Sequence, residues 1–374
     1  MSVSQIKFFQ INFLIYNFKN CCSILKKKQM IQQKIFFDDL EKFLNSSIQS
    51  HQILHIDIQK KGNQIGAIGA SDLGSGLGKC TNLTYLQLEF GGNYIGDQGV
   101  SSLGFGLEKC TNLQNLTLCL YYNQIGPIGA AGLGCGLGKC SNLQNLTLDL
   151  NYNLISSEGA SGLGSGIGEC SNLLNLALYL YGNKIGATGS SGLAFGIGKC
   201  TNLQNLNLNY GENKIGDEGT QGLCSALEKC TNLSNLKLNL LFFLIYFYFV
   251  FIPLVFFFFN LNHFFIFKFC FSYQLINLFI KISFFSSFFH SNKLSNQLIN
   301  SLFFLLYLKS WNQIGGSVIG SCLGQCPNLS NLTLDFSYNQ IGDEGASGLG
   351  HGLRNCTNLS NLILNLWQKQ FICF

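Results

Sequence analysis

Residues 140–169 read CSNLQNLTLDLNYNLISSEGASGLGSGIGE, and residues 200–229 restate the phrase as CTNLQNLNLNYGENKIGDEGTQGLCSALEK. Cys80, Cys110, Cys140, Cys170, Cys200 and Cys230 each open a copy, 30 residues apart, and Cys326 and Cys356 resume the spacing. A fixed period of this size marks stacked units, none of which buries its apolar face alone. Within one unit Leu146, Leu148 and Leu150 alternate with polar residues, the period of a short strand with one face buried. Asn153 and Ile155 follow, then a turn. After the turn Ala160, Leu163 and Ile167 fall on one helical face. In the better copies an acid precedes this second half (Asp97, Asp217, Asp343), placed to act as an N-cap. Glycine is dense there, and each interior glycine costs about 1 kcal/mol relative to alanine, which predicts short or irregular helices held by packing.

Outward from the phrase, composition divides the chain. All 42 glycines lie between Gly62 and Gly352, whereas residues 241–309 hold 21 of the 34 phenylalanines and no glycine. The organisation expected is a leader or N-terminal cap over 1–49, repeats over 50–240, a hydrophobic insertion over 241–309, repeats again over 310–366 and a tail over 367–374. Residues 34–45 read as a short amphipathic cap on the first repeat. The leader to residue 45 and the insertion each carry about +4. With the whole chain at +5, the array is left near −3. An array of that sign has no basic footprint for a phosphate backbone, which argues against nucleic acid.

The strand pattern, the Asn, the Ile-Gly-Asp-x-Gly turn and the leucine-spaced helix together resemble the ribonuclease-inhibitor-type leucine-rich repeat, over about residues 50–240 and 310–366. The resemblance implies an α/β solenoid, a horseshoe with a parallel concave sheet and convex helices. It also implies that Asn63, Asn93, Asn123, Asn153, Asn183, Asn213, Asn312 and Asn339 form a buried ladder. One departure is an extra x-Leu step before the Asn (Leu120, Leu150, Leu180), which leaves the strand register open by two residues.

Residues 241–309 break the period at one point, and removing them joins TNLSNLKLNL directly to SWNQIGG. Three readings stand. The run 240–259 is long enough to span a bilayer, although Pro253 lies within it and a single crossing would separate the last repeats from the others. A surface loop is affordable in closure entropy, yet an exposed run of phenylalanine invites aggregation. A translated intron explains both the AT-rich-codon composition and the clean excision point.

Chemistry is sparse. Of the 16 cysteines, eight sit at one repeat position, and Cys322 and Cys326 have no second pair to complete a zinc site. These read as buried thiols in a reduced, cytoplasmic setting. The five histidines are scattered, and each Gly-Lys of the array is followed by Cys where a phosphate loop needs Ser or Thr. The Asn-Leu-Thr sequons at Asn82, Asn115 and Asn145 are repeat grammar. No catalytic residue, cofactor or metal is expected.

What remains is surface. Outward strand positions include Gln87, Glu89, Thr117, Cys119, Thr147, Asp149, Tyr179, Asn207, Asn209, Thr333 and Asp335, with Tyr121, Tyr122, Tyr152, Tyr181 and Tyr338 just beyond. Tyrosine is a favoured interface anchor, because a large rigid ring carries a polar tip. The partner-binding set expected is therefore Glu89, Tyr121, Tyr122, Asp149, Tyr152, Tyr179, Tyr181, Asn209, Asp335 and Tyr338, facing a protein partner, with no oligomer implied. A regulatory module of the GTPase-activating or ubiquitin-ligase-adaptor type is the alternative by family analogy. A membrane-tethered scaffold, held through 240–259, is the other.

Overall fold

The computed structural model describes residues 34–59, 65–240, 316–337, 339 and 341–366. Each phrase makes one strand and one helix. The strands are β1 (Ile35–Phe37), β2 (Ile53–Asp57), β3 (Tyr85–Glu89), β4 (Asn115–Cys119), β5 (Asn145–Asp149), β6 (Asn175–Tyr179), β7 (Asn205–Asn209), β8 (Asn235–Asn239), β9 (Asn331–Asp335) and β10 (Asn361–Asn365). They form a single ten-stranded parallel sheet in chain order. Equivalent residues stand directly opposite, Leu116 against Leu146 and Leu146 against Leu176. From β3 to β7, and again in β9, the strand leucines are buried and the alternate residues are half-buried. The strand ends at Asp149, and Leu150 turns inward as a further buried residue whose N–H still donates to Tyr179 O at 2.8 Å. That settles the two-residue ambiguity: the extra leucine step lies past the strand end.

Beyond the strand the asparagine ladder is present as expected. Asn153 Nδ2 donates to Leu120 O and Leu150 O, both at 3.0 Å, and its Oδ1 accepts from Asn123 N at 2.9 Å and Ile125 N at 3.0 Å. One buried amide thus satisfies backbone groups in two successive turns, groups that burial would otherwise leave without water or partner. Asn93, Asn123, Asn183, Asn213 and Asn339 are buried in the same column; Asn63 and Asn312 lie outside the described residues. The repeat cysteines form a second column. Cys140 Sγ lies 3.4 Å from Leu107 O and 3.7 Å from Gly136 O, and burial pushes this thiol up to about 12. Every described cysteine is free.

The helices are α1 (Leu40–Leu44), α2 (Gly66–Leu77), α3 (Gly96–Leu107), α4 (Pro127–Leu137), α5 (Ser156–Ile167), α6 (Gly186–Ile197), α7 (Gly216–Leu227), α8 (Gly316–Leu323) and α9 (Gly342–Arg354). The convex helices are short, as expected, most of them 12 residues long, and they are regular because their glycines answer a packing demand. A Cβ on Gly106 would stand 2.2 Å from Gly74 O, and one on Gly136 would stand 2.1 Å from Gly104 O. The helix layer closes only where the side chain is missing, and that contact offsets the cost in propensity. The acids, however, are not N-caps. Asp97 lies inside the first turn of α3, behind Ile95 at the cap. Its Oδ1 accepts from Gly126 N at 2.7 Å and Gly129 N at 2.8 Å, so it serves the start of α4 in the next repeat. Asp217 and Asp343 also lie in first turns, where a negative charge meets the positive end of the helix dipole.

The ends differ. At the amino end β1 extends the sheet, and α1 buries Phe43 completely beneath the cap. At the other end all five residues of β10 are exposed. Across the 241–309 segment β8 pairs directly with β9, and Leu240 N donates to Asp335 O at 2.9 Å. The segment 241–315, the leader 1–33 and the tail 367–374 lie outside the described residues, as does the candidate span beyond Leu240. Among the described residues no helix is long and apolar enough to cross a membrane.

Candidate interaction surface on the concave sheet

Three rows of side chains emerge from the sheet, because each strand turns three of its five residues outward. The first row is Tyr85 and then asparagine at 115, 145, 175, 205, 235, 331 and 361. Asn145 Nδ2 donates to Asn115 Oδ1 at 2.6 Å, and the same amide-to-amide bond joins Asn175 to Asn145, Asn205 to Asn175 and Asn235 to Asn205. Asn331 continues it onto Asn235 at 2.5 Å. This second asparagine ladder was not anticipated. Its signal was the Asn before the first strand leucine in every copy from β4 onward, which only the observed register turns into a row. Beside it an open groove of about 300 Å³ runs over β5 to β9, between this row and a middle row that includes Thr147, Asn207 and Lys237.

The third row follows the strand ends: Asp57, Glu89, Cys119, Asp149, Tyr179, Asn209, Asn239 and Asp335. Glu89 is held by neutral amides, Gln59 Nε2 and Gln87 Nε2, each at 2.9 Å. Asp149 accepts from Asn151 N at 3.1 Å. Burial lifts the Asp149 carboxyl above the usual range; the backbone N–H of Asn151 opposes the shift, and the charge of Glu89 adds to it. The Cys119 thiol between them is raised by burial and then by its hydrogen bond to Glu89. Asn207 Nδ2 donates to the Tyr179 hydroxyl at 3.0 Å.

Just past the strands four tyrosines touch in sequence. Tyr121 and Tyr122 meet edge-on with ring centroids 6.1 Å apart. Tyr122 and Tyr152 stack at 4.5 Å with 5° between their planes, and Tyr181 leans on Tyr152 at 5.1 Å. Tyr122 is 54% exposed and Tyr152 44%, so the stacked pair stands in solvent. Tyr121 Oη donates to Gln59 Oε1 at 3.3 Å. The Tyr181 hydroxyl is pushed up by burial and by the Glu212 carboxylate beside it.

Of the residues expected from sequence, Glu89, Tyr121, Tyr122, Asp149, Tyr152 and Tyr181 come together as one patch, with Tyr179 and Asn209 on the adjoining row. Asp335 lies two strands beyond β7, its Oδ1 accepting from Ser337 N at 3.0 Å. Tyr338 lies outside the described residues. Asp57, Gln59 and Glu212 were missed, since each stands apart in sequence from the tyrosines it joins. Among the described residues no group of His, Cys, Asp and Glu is arranged to hold a metal ion.

A family model described as Leucine Rich repeat matches residues 79–104, 142–164 and 328–350. A search of the curated proteins finds no match. Such repeats generally mediate protein–protein interaction. The three matched segments, together with a ten-stranded parallel sheet that alternates with helices, fit a leucine-rich-repeat protein.

Proposed function

We propose that the chain is a non-catalytic interaction scaffold, of the ribonuclease-inhibitor-like repeat subtype, that holds a protein partner on its concave face. The observation that carries this reading is the unbroken in-register sheet, which presents polar rows ending in a solvent-facing tyrosine patch. Side chains on paired strands are positioned by the sheet itself, so a partner meets them with little ordering cost. Aromatic groups that combine an apolar ring with a polar tip are the residues that most often dominate such contacts. The contact set is Glu89, Tyr121, Tyr122, Asp149, Tyr152, Tyr179, Tyr181, Asn209, Asp335 and Tyr338. The subtype is supported by the helix in every full unit of the described residues and by the buried asparagine after β3 to β7 and β9.

The test is affinity capture from lysate with the full chain, beside a variant carrying Asp149→Lys and Asp335→Lys. Loss of specific partners from the variant is the result expected. Identical captured sets would reject this face.

A further inference from the structure

The rim of the sheet between β2 and the turn after β7 carries more acid than the cations near it pair with, since Lys34 bonds the Gln87 amide oxygen, at 3.4 Å, rather than a carboxylate. Asp57, Glu89 and Asp149 stand on β2, β3 and β5, with Cys119 of β4 between the last two. Neighbouring strands lie about 4.8 Å apart, so these carboxylates feel one another. Tyr121 registers all three, its hydroxyl raised by burial and then by Asp149, Glu89 and Asp57 among its neighbours. The ion pairs of the described residues, Lys42 with Asp38, Lys109 with Glu108 and Lys199 with Glu169, include none of them. Glu89 takes its hydrogen bonds from neutral groups, the Gln59 and Gln87 amides and the Cys119 thiol.

A second observation is independent of charge. The turn after each of β3 to β7 holds a residue in the left-handed region, and in two of these repeats that residue is glycine: Gly92 at φ 71° and Gly182 at φ 70°. At the equivalent positions stand Tyr122 at φ 52°, Tyr152 at φ 54° and Glu212 at φ 54°. A residue with a Cβ is strained there where glycine is not. In three of these five repeats a side chain is kept at the position: Tyr122 and Tyr152 form the exposed stacked pair, and Glu212 stands on the far side of the Gly182 repeat.

Resting on the reading of this sheet as a protein-binding face, we propose that the rim recognises a cationic peptide segment, whose Lys or Arg side chains lie on the Tyr122–Tyr152 pair between Glu89 and Asp149 on one side and Glu212 on the other. The chemistry of each half fits. Tyrosine faces attract ammonium and guanidinium groups. The apolar stems of Lys and Arg cover rings while their heads reach carboxylates. The four strand steps from β3 to β7 span about 19 Å, which an extended chain crosses in about six residues. The C-terminal half of the face differs, with Lys237 in its middle row and asparagine or Asp335 at the strand ends.

The experiment is fluorescence anisotropy with the full chain and labelled hexa-arginine, against hexa-glutamate and a neutral Gly-Ser hexapeptide of equal length. Hexa-arginine alone should bind, and more weakly as salt rises. Tyr122→Gly with Tyr152→Gly installs the residue that neighbouring repeats already carry, so folding is retained, and circular dichroism verifies it. That double variant should weaken binding roughly tenfold. Asp149→Asn and Glu212→Gln should each weaken it several-fold, and Glu169→Gln on the convex side should leave it unchanged. Equal binding of all three peptides, or binding indifferent to the tyrosine pair, overturns the proposal. So does a self-association, seen by sedimentation, that the tyrosine variant dissolves and hexa-arginine does not displace, because a second copy would then own the rim. If lysate partners depend on Asp149 and Asp335 while hexa-arginine fails to bind, the scaffold reading stands and the cationic one falls.

Discussion

The two ends of the solenoid finish differently. At the amino end β1 adds a short strand, α1 closes over the core, and Phe43 is wholly buried against Phe37 and His51, with ring centroids 5.6 and 6.5 Å away. At the carboxyl end β10 repeats the same leucine pattern, yet Leu362, Ile363 and Leu364 are 44%, 63% and 38% exposed. The same leucine pattern is core in β5 and surface in β10. A repeat's leucines are buried by the next turn, so burial here is a property of neighbours rather than of sequence.

The comparison is broken most directly at Phe43. Phe43→Ala should destabilise the fold by about 3–5 kcal/mol, read as a lower urea midpoint at unchanged slope. A loss below about 1 kcal/mol would mean that the amino end is as loosely held as the other. Next in size is the helix layer. Gly106→Ala drives a Cβ to 2.2 Å from Gly74 O and should cost roughly 1–3 kcal/mol as overpacking. Gly350→Ala in α9 meets nothing within 4 Å and should instead stabilise by about 0.4–1 kcal/mol. Opposite signs for one substitution in two helices would show that the glycines answer to neighbouring turns; equal signs would refute it. Leu364→Ala at the open edge should cost less than about 1 kcal/mol, because much of its surface is already in water.

The smallest effect separates the ends by pH. His51 is buried beside Phe43, its Nε2 2.9 Å from Ser46 Oγ, and burial holds its pKa below 6.5. The unfolded chain therefore takes up the proton first as pH falls. Stability from this group is complete above 6.5 and is lost as pH drops through that value toward the folded-state pKa. Amide protection factors in residues 40–50 should fall over that window while those in 355–365 stay constant, and His51→Gln should abolish the difference.

Much of the fold was legible in residues 140–169. The period, the strand leucines, the buried Asn153 and the Cys140 column all follow from local pattern, since each is a choice of side chain made once and copied. The inter-repeat details were not legible. Asp97 looks like a cap for its own helix and serves α4. The glycines look like helix breakers and are what lets the helices approach. The concave asparagines look like strand filler and form a second ladder. On the rim the tyrosines were identifiable, but Glu212, Gln59 and Asp57 were not.

The amino-acid sequence alone determined the repeating unit, which of its residues turn inward, and that the units stack, because hydrophobic alternation and periodicity act within one turn of the chain. Only the tertiary structure decided which partner each polar group meets and where like charges gather. Those contacts join residues a whole repeat or more apart, and their distances follow from how one turn settles on the last.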